Sequence, residues 1–597
     1  MGRYRSGEPK VSIICIDCED SYIDATLAGI EYGNLDVVKT VSGLELLEDV
    51  FGYAQNTDSK YITFLLPEQK LKEGKIGLMV KMLELVEGID MVICNRCFEH
   101  AGKTIAQLDK LYWNVFRDQL VDGKMLLKAC FAEGVNLYGN LTTLMIRTDS
   151  LIARLSENGF QMKTEGMMTV LLNYLLLSGS KLSIIVAPLV ASELSDYNES
   201  LLRQKLMQYE KMLSLLKQEQ LFEEESFEKE KMMPVYMRML GENKVPEQCV
   251  EKRITFFYTD KGEYYNLEPI SQEADKRGYE IHFTQDLTEK AEIGIYCQHV
   301  SWRFAKNSKF SVILLHDLAQ GHNKWPDIWN AERWNYFDFG VLPGGGWEKR
   351  WAESASMYWA QPARGAYLLG YPKSSCIKDA EIRQRAEELK SELGLKYDHT
   401  VLYAPSWEND EKEDDFIRGL ASLKVNLLIK QAHWPEAYAH IVKNIETMRN
   451  EHEGKYDNVY YMEPEESILV ALEMCDLVVS DESNVMIEAL MFEKPSIAVT
   501  DWLIPDTKPS RFASVPFDCV YKCKKVELRE FVENILIRKK GVLDCKKLRE
   551  EYFCNAEHVN EDILDLIEYF TNLSEINEER VQKYFVKPAY MPVVLWD

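Results

Sequence analysis

Three short stretches of the chain set polar side chains directly after apolar runs. In DLVVSDESNVMIEALMFEKPSIAV (476–499) the run LVVS breaks at Ser480 into Asp481, Glu482, Ser483 and Asn484, and a helical pattern carrying Glu488 follows. APSWEND (404–410) follows VLY and supplies Ser406 and Trp407, while LLIKQAHWP (427–435) supplies Lys430 and His433, three residues apart. Such groups suit an oxyanion: hydroxyls and amides donate, a lysine ammonium brings a point charge, and a histidine adds a pH-dependent one. Ser483 and Asn484 can equally serve as helix caps. With Ser483 as the N-cap, the capping-box position falls on Met486, so Glu488 is not placed to close the cap. Its carboxylate either accepts hydrogen bonds from vicinal ribose hydroxyls beside a diphosphate or simply sits favourably near a helix N-terminus.

A fourth stretch, VILLHDLAQGHNKWP (312–326), places His316 and Asp317 at the exit of an apolar run, with His322 and Lys324 after Gly321. An imidazole with a pKa near 6.5 suits general-base work at neutral pH. The glycine-rich FGVLPGGGWEKRW (339–351) allows close backbone approach to a ligand, and Arg364 and Lys373 near GYPK are further candidate phosphate contacts.

The elements that must position these groups follow an α/β rhythm. Residues 1–196 alternate strand-like runs (VSIICID, YITFLLP, MVICNRC, TLMIRT, SIIVAPL) with helical patterns, and form a first domain. Residues 197–250 are charged, poor in Gly and Pro, and read as a helical connector. A second α/β series covers 251–373 and a third 374–575, two Rossmann-like lobes facing a cleft; 576–597 is a final helix and an aromatic-rich tail. At 597 residues the chain exceeds one hydrophobic core. The formal charge of −26 opposes nonspecific binding to nucleic acid or anionic lipid, so no nucleic-acid partner is expected. No apolar stretch reaches membrane-spanning length, no secretion signal is legible at the N-terminus, and the thirteen cysteines show no metal-type pairing, which reads as reduced thiols in a cytoplasmic protein.

The order APSW, then IK..H, then SDESNVMIEAL…KPSIAV resembles the C-terminal half of the CDP-glycerol glycerophosphotransferases of teichoic-acid synthesis, and more distantly the nucleotide-sugar GT-B enzymes that include UDP-GlcNAc 2-epimerases. The resemblance spans about 254–575. It implies that Ser406, Trp407, Lys430, His433, Ser480, Asp481, Ser483, Asn484 and Glu488 line an activated donor, and that His316 takes the place of a family histidine. At that place the family has WHG; here Asp317 stands where the glycine would be, and the basic residue comes later.

VSIICIDCEDSYIDATLAGI (11–30) resembles the opening of family 2 GT-A glycosyltransferases. YITFLLPEQKL (61–71) falls where those enzymes carry an acidic pair that binds a divalent ion, but Pro67, Glu68, Gln69 and Lys70 make a poor Mg²⁺ or Mn²⁺ site. Glu165 falls near that family's later acidic base. A degenerate GT-A domain serving acceptor binding, assembly or stability is the expectation.

Together these readings imply an α/β chain with an N-terminal GT-A-like domain, a helical connector and a GT-B pair of lobes. The expected reaction moves a glycerol-phosphate or glycosyl unit from a CDP- or UDP-linked donor to a hydroxyl acceptor, with lipid- or protein-linked glycans as the acceptor class. No metal or obligatory cofactor is expected. The expected place is the cytoplasm, extending to the inner face of the membrane and to a glycan-assembly complex. An epimerase sharing the cleft and a nonenzymatic scaffold are the rival expectations.

Overall fold

The computed structural model describes residues 7–40, 46–107, 120–127, 139–157, 172, 175–176, 180–207, 250–315, 318, 333–409, 411–434, 436–505, 518–574 and 578–593. His316, Asp317, His322, Lys324 and Glu165 lie outside them, as does the connector from 208 to 249. The chain divides into two compact units: 1–244 with 351–363 and 587–597, and 245–350 with 364–586.

The first unit is built on a mixed sheet. Its strands are β1 (Val11–Ile16), β2 (Leu35–Thr40), β3 (Tyr61–Leu65), β4 (Gln69–Leu71), β5 (Met91–His100), β6 (Lys103–Gln107), β7 (Val121–Asp122), β8 (Leu144–Arg147) and β9 (Lys181–Glu193). The order is β2-β1-β3-β8-β5-β9-β4, with β6 on β5 and β7 on β9. β8 is antiparallel to both β3 and β5, and β5 runs parallel to β9, so β3, β5 and β9 share one direction. The C-terminal tail belongs to this unit. Tyr590 bridges Asp196, and the N–H groups of Met591 and Val593 donate to the carbonyls of Ser195 (2.9 Å) and Ser356 (2.7 Å).

The second unit holds two six-stranded sheets, and every strand pair in them is parallel. Its first lobe has β10 (Arg253–Phe257), β11 (Glu280–Thr284), β12 (Ala291–Tyr296), β13 (Ser308–Leu314), β14 (Phe339–Leu342) and β15 (Ala366–Leu368), ordered β11-β10-β12-β13-β14-β15. The second lobe has β16 (Thr400–Tyr403), β17 (Asn426–Ile429), β18 (Val459–Tyr461), β19 (Leu477–Ser480), β20 (Ser496–Val499) and β21 (Tyr521–Cys523), ordered β18-β17-β16-β19-β20-β21. The runs TVLY, NLLI, LVVS and SIAV are buried throughout, as strands covered on both faces must be. The expected α/β class is therefore what the chain adopts.

Helix ends follow local chemistry. Asp379 caps the helix Ala380–Leu393 through the Glu381 N–H, and Gly394, at φ 62°, ends it in the left-handed region that glycine enters without a Cβ clash. The helix Val559–Phe570, which the sequence reading groups with 374–575, buries Val559, Ile563, Leu564, Ile567 and Phe570 in the first lobe's core beside Phe256, Phe310 and Val312. The amphipathic stripe is legible in the sequence; which sheet it covers is not, because that is set by the chain's return across the two lobes.

Candidate functional site

The second lobe, renumbered along its own chain, has the strand order 3-2-1-4-5-6. Its direction of winding reverses between β16 and β19, and open parallel sheets bind ligands beyond the carboxyl ends of strands at such a reversal. APSW leaves β16 and SDESN leaves β19, so both flank the reversal; Lys430 leaves β17 next door.

Asp481 is the centre of this edge. Fully buried, it accepts from the N–H of Ser406 (2.7 Å), the N–H of Trp407 (3.3 Å), its neighbour's Glu482 N–H (2.6 Å), the Ser480 hydroxyl (3.2 Å) and the Lys412 ammonium (2.7 Å). The Lys412 and Asp481 side chains are 1% and 0% exposed. Such a saturated carboxylate fastens the β16 loop to the β19 loop, and its lone pairs are spent within the protein. Ser480 also turns inward, its hydroxyl donating to the Ala404 carbonyl at 2.6 Å. These two expected donor ligands thus sit one layer behind the surface of the loops: an acid at a strand's end meets the backbone N–H groups of the adjoining loop before it meets solvent.

Lys430 is different. It is 7% exposed, and its ammonium donates to the carbonyls of Gln431 (3.1 Å) and Pro464 (3.0 Å). Among the described residues no carboxylate lies within ion-pairing distance, and burial pushes its pKa down to about 8 despite the opposing fields of Glu465 and Glu466. A buried cation with neutral partners is costly to keep and is expected where an anion completes it. His433 is exposed and meets Glu465 at 3.2 Å. The half-buried Ser406 gives its N–H to Asp481, while its hydroxyl has no partner among the described residues.

After β19 the helix expected over 485–492 is shorter: one α-helical turn, Val485–Glu488, passes into a 3₁₀ turn, Ala489–Phe492. Glu493 at φ 56° then ends it so that Pro495 and β20 can start at once. A single turn aligns few peptide dipoles, so the field at its N-terminus is small. The Ser483 hydroxyl accepts the Val485 N–H at 3.3 Å, the capping role. Asn484 makes no cap; its side-chain oxygen accepts the N–H of Leu318 at 2.5 Å, tying the two lobes together two residues beyond His316 in the chain.

Glu488 is 2% exposed. Its Oε1 accepts from the Tyr371 hydroxyl (2.8 Å) and the Lys373 ammonium (2.9 Å), while Oε2 has no partner among the described residues. Lys373, expected as a phosphate contact, is thereby committed to a carboxylate. Arg364 is half-buried, and its Nε has no hydrogen-bond partner among the described residues.

Residues 348–505 match the family model of CDP-Glycerol:Poly(glycerophosphate) glycerophosphotransferase. The matched segment contains the β16, β17 and β19 exits described above, and ends before β21. No curated protein matches the chain. Among solved structures, the wall teichoic acid polymerase TagF is 14% identical, with 63% of this chain and 98% of that chain covered at a TM-score of 0.39. Anabaena Alr3699/HepE, in complex with UDP and glucose, is 12% identical over 53% of this chain and 99% of that one (TM-score 0.35). S. aureus MnaA with UDP is 11% identical over 54% and 98% (TM-score 0.38).

Several residues of this edge escaped the sequence reading. Lys412 sits in the charged run EKEDD, which looks like a solvated face, yet it is fully buried. Glu408 and Glu413 are buried as well, bridged by the Gln431 amide at 2.7 and 2.8 Å and held by the hydroxyls of Tyr403 (2.6 Å) and Tyr461 (2.5 Å). Burial raises both carboxyls, Glu413 to about 7. Trp407 packs with Trp434 (ring centroids 4.8 Å) and Tyr438 (5.9 Å), an aromatic group beside the Lys430 segment. The legible signal was the apolar VLY run followed by Ser and Trp; burial of the charges behind it carried none.

The glycine-rich turn has a structural reason. A Cβ on Gly344 would lie 2.0 Å from the Tyr552 carbonyl oxygen, and one on Gly346 would lie 2.9 Å from the Tyr552 ring. These glycines admit the 551–553 segment rather than a ligand.

In the first unit, at the place of the acidic pair, Glu68 is exposed, Gln69 accepts the Ser192 hydroxyl (2.6 Å), and Lys70 pairs with Glu193 (3.2 Å). Among the described residues there is no group of three acidic, histidine or cysteine side chains placed to hold a metal ion, and no helix long and apolar enough to cross a membrane.

Proposed function

We propose that the second unit is a transferase that takes a nucleotide-diphosphate-activated donor and passes its glycerol-phosphate or glycosyl group to a hydroxyl acceptor. The observation that carries this reading is Lys430, a buried ammonium among carbonyls at the ligand edge of β17, inside the segment matching the glycerophosphotransferase model. Donor phosphate oxygens would supply the anion that the described residues do not. The Ser406 hydroxyl and the hydroxyl proton of Ser483 add neutral donors on the neighbouring loops. The free Oε2 of Glu488 is positioned to accept from a ribose hydroxyl, while Oε1 stays with Tyr371 and Lys373.

In the transfer, the acceptor oxygen bonds to the reacting centre of the donor as the bond to the leaving phosphate breaks. The acceptor's proton passes to a base, for which His316 is the residue proposed, with Asp317 beside it in sequence. The leaving phosphate keeps the bonding electron pair, and Lys430 balances its growing charge. The first unit keeps a GT-A-like architecture and serves binding or assembly. Incubation of the full chain with CDP-glycerol and UDP-sugars, with glycerol as a minimal hydroxyl acceptor, should release a nucleotide detectable by mass spectrometry. Absence of both release and nucleotide binding by titration calorimetry would overturn the reading, and Glu488→Ala with unchanged nucleotide affinity would remove the ribose assignment.

A further inference from the structure

Behind the loops after β16 and β17 lies a pair of acids that the transfer reaction does not use. Glu408 follows Trp407 in the β16 loop, and Glu413 lies in the first turn of the helix Lys412–Leu420; they are 1% and 0% exposed. One nitrogen joins them. The Gln431 amide Nε2 donates to Glu408 Oε2 at 2.7 Å and to Glu413 Oε2 at 2.8 Å. Two oxygens bonded to a common nitrogen lie at most about 5.5 Å apart, within the range over which like charges oppose each other's ionisation. Gln431 follows Lys430 at the exit of β17, so this bridge fastens that loop to the one after β16.

The surroundings decide which acid holds a proton. Glu408 accepts from the Tyr403 hydroxyl (2.6 Å), the Gln431 amide and the Glu413 N–H (3.2 Å). Glu413 accepts only from Gln431 and the Tyr461 hydroxyl (2.5 Å) among the described residues, both neutral donors. No cation among those residues lies within ion-pairing distance of either carboxyl. Lys412, beside Glu413 on its helix, is paired with Asp481 at 2.7 Å, and Lys430 donates to the carbonyls of Gln431 and Pro464. From the helix Ala439–His452, Asn444 donates to the Glu408 carbonyl (3.0 Å), while Arg449 lies 5.3 Å from the centre of the Tyr461 ring and pairs with Glu453 (2.9 Å) and Glu463 (3.0 Å). Burial raises both acids, Glu413 to about 7, with the Glu408 charge adding to the rise. A proton on Glu413 Oε1 fits without loss, because the Tyr461 hydroxyl can turn from donor to acceptor while Gln431 stays bridged.

We infer that Glu408, Glu413 and the Gln431 amide form a proton-operated latch between the loops after β16 and β17, closed while the two acids share one negative charge and loosened once both are ionised. The latch is independent of what the second unit binds. Because Glu413 is raised from 4.5 to about 7 in the closed form, opening to water releases its proton, so opening is disfavoured at low pH and grows as pH rises towards about 7. Between about pH 6 and 8 the opening equilibrium should grow about tenfold. Amide hydrogen exchange of the full chain, read by mass spectrometry and corrected for the intrinsic effect of pH, tests this in peptides spanning APSWE and KQAHW, with a β20 peptide as internal control. The two loop peptides should lose about tenfold in protection across that range while the β20 peptide does not change. Glu413→Gln, which cannot ionise, should keep the loops protected at both pH values. Glu408→Gln carries the test if Glu413→Gln does not fold: with the like charge gone, the loss of protection should move to lower pH. Loop protection that is flat with pH in the unsubstituted chain, that falls equally in β20, or that falls unchanged in either folded variant would overturn the latch.

Discussion

Replacing Lys430 by methionine isolates the charge on which the nucleotide reading depends. The side chain is 7% exposed and its partners are two carbonyls, so the substitution leaves no carboxylate stranded and the fold should persist. An ammonium about 4 Å from a phosphate charge is worth about 4 kcal/mol at an effective dielectric near 20, and truncating one partner of a buried charged pair costs about 2–5 kcal/mol. Loss of roughly 3 kcal/mol corresponds to an affinity about 150-fold weaker for CDP or UDP. The pH dependence gives a second readout. Because burial holds the Lys430 pKa down to about 8, the free protein carries this charge at neutrality and loses it as pH rises through that value. Affinity in the unsubstituted protein should be flat from about pH 7 to 8 and then fall by up to roughly tenfold per pH unit, whereas Lys430→Met should stay flat throughout. Titration calorimetry between about pH 7 and 9.5 reads both effects. A methionine variant that binds within twofold of the original, or that keeps the alkaline decline, would refute the argument that Lys430 meets the phosphates.

Two stability predictions concern buried lysines. Lys412→Met leaves Asp481 buried with its N–H donors but without its ammonium, and should cost about 3–5 kcal/mol in denaturant unfolding; the added substitution Asp481→Asn should recover part of this, and a cost near zero would show that the pair does not fasten the loops. Lys75 in the first unit is fully buried, donates to the Thr63 hydroxyl at 3.0 Å, and has its pKa pushed down to about 8 by desolvation. Since the unfolded chain then binds more protons between about pH 8 and 10.5, stability rises with pH across that window. Lys75→Met should be the more stable form at neutral pH, by an upper bound of about 3 kcal/mol, and its advantage should close as pH approaches 10.5; a gap in melting temperature that does not change with pH would contradict this.

How far the sequence discloses this molecule depends on whether the signal is local. Runs such as TVLY, LVVS and SIAV are short, apolar and sharply bounded, and they become the buried strands expected of them. The three loops after β16, β17 and β19 are likewise legible, because a polar break after an apolar run is itself a local pattern. The division of labour inside those loops is not. Asp481 and Ser480 have the same composition-level credentials as Ser406 and Lys430, yet the first two are consumed by backbone and by Lys412, a residue 69 positions away. Glu488 is matched by Lys373 and Tyr371 across 115 and 117 positions. Partner choice over such separations is set by which strand lies beside which, information that a one-dimensional pattern does not contain. The consequence for the chemistry is specific. A polar residue at a strand's carboxyl end is a ligand candidate only after the loops on neighbouring strands have taken what they need, and by that criterion Lys430, the Ser406 hydroxyl and one oxygen of Glu488 remain as the candidates for the proposed donor.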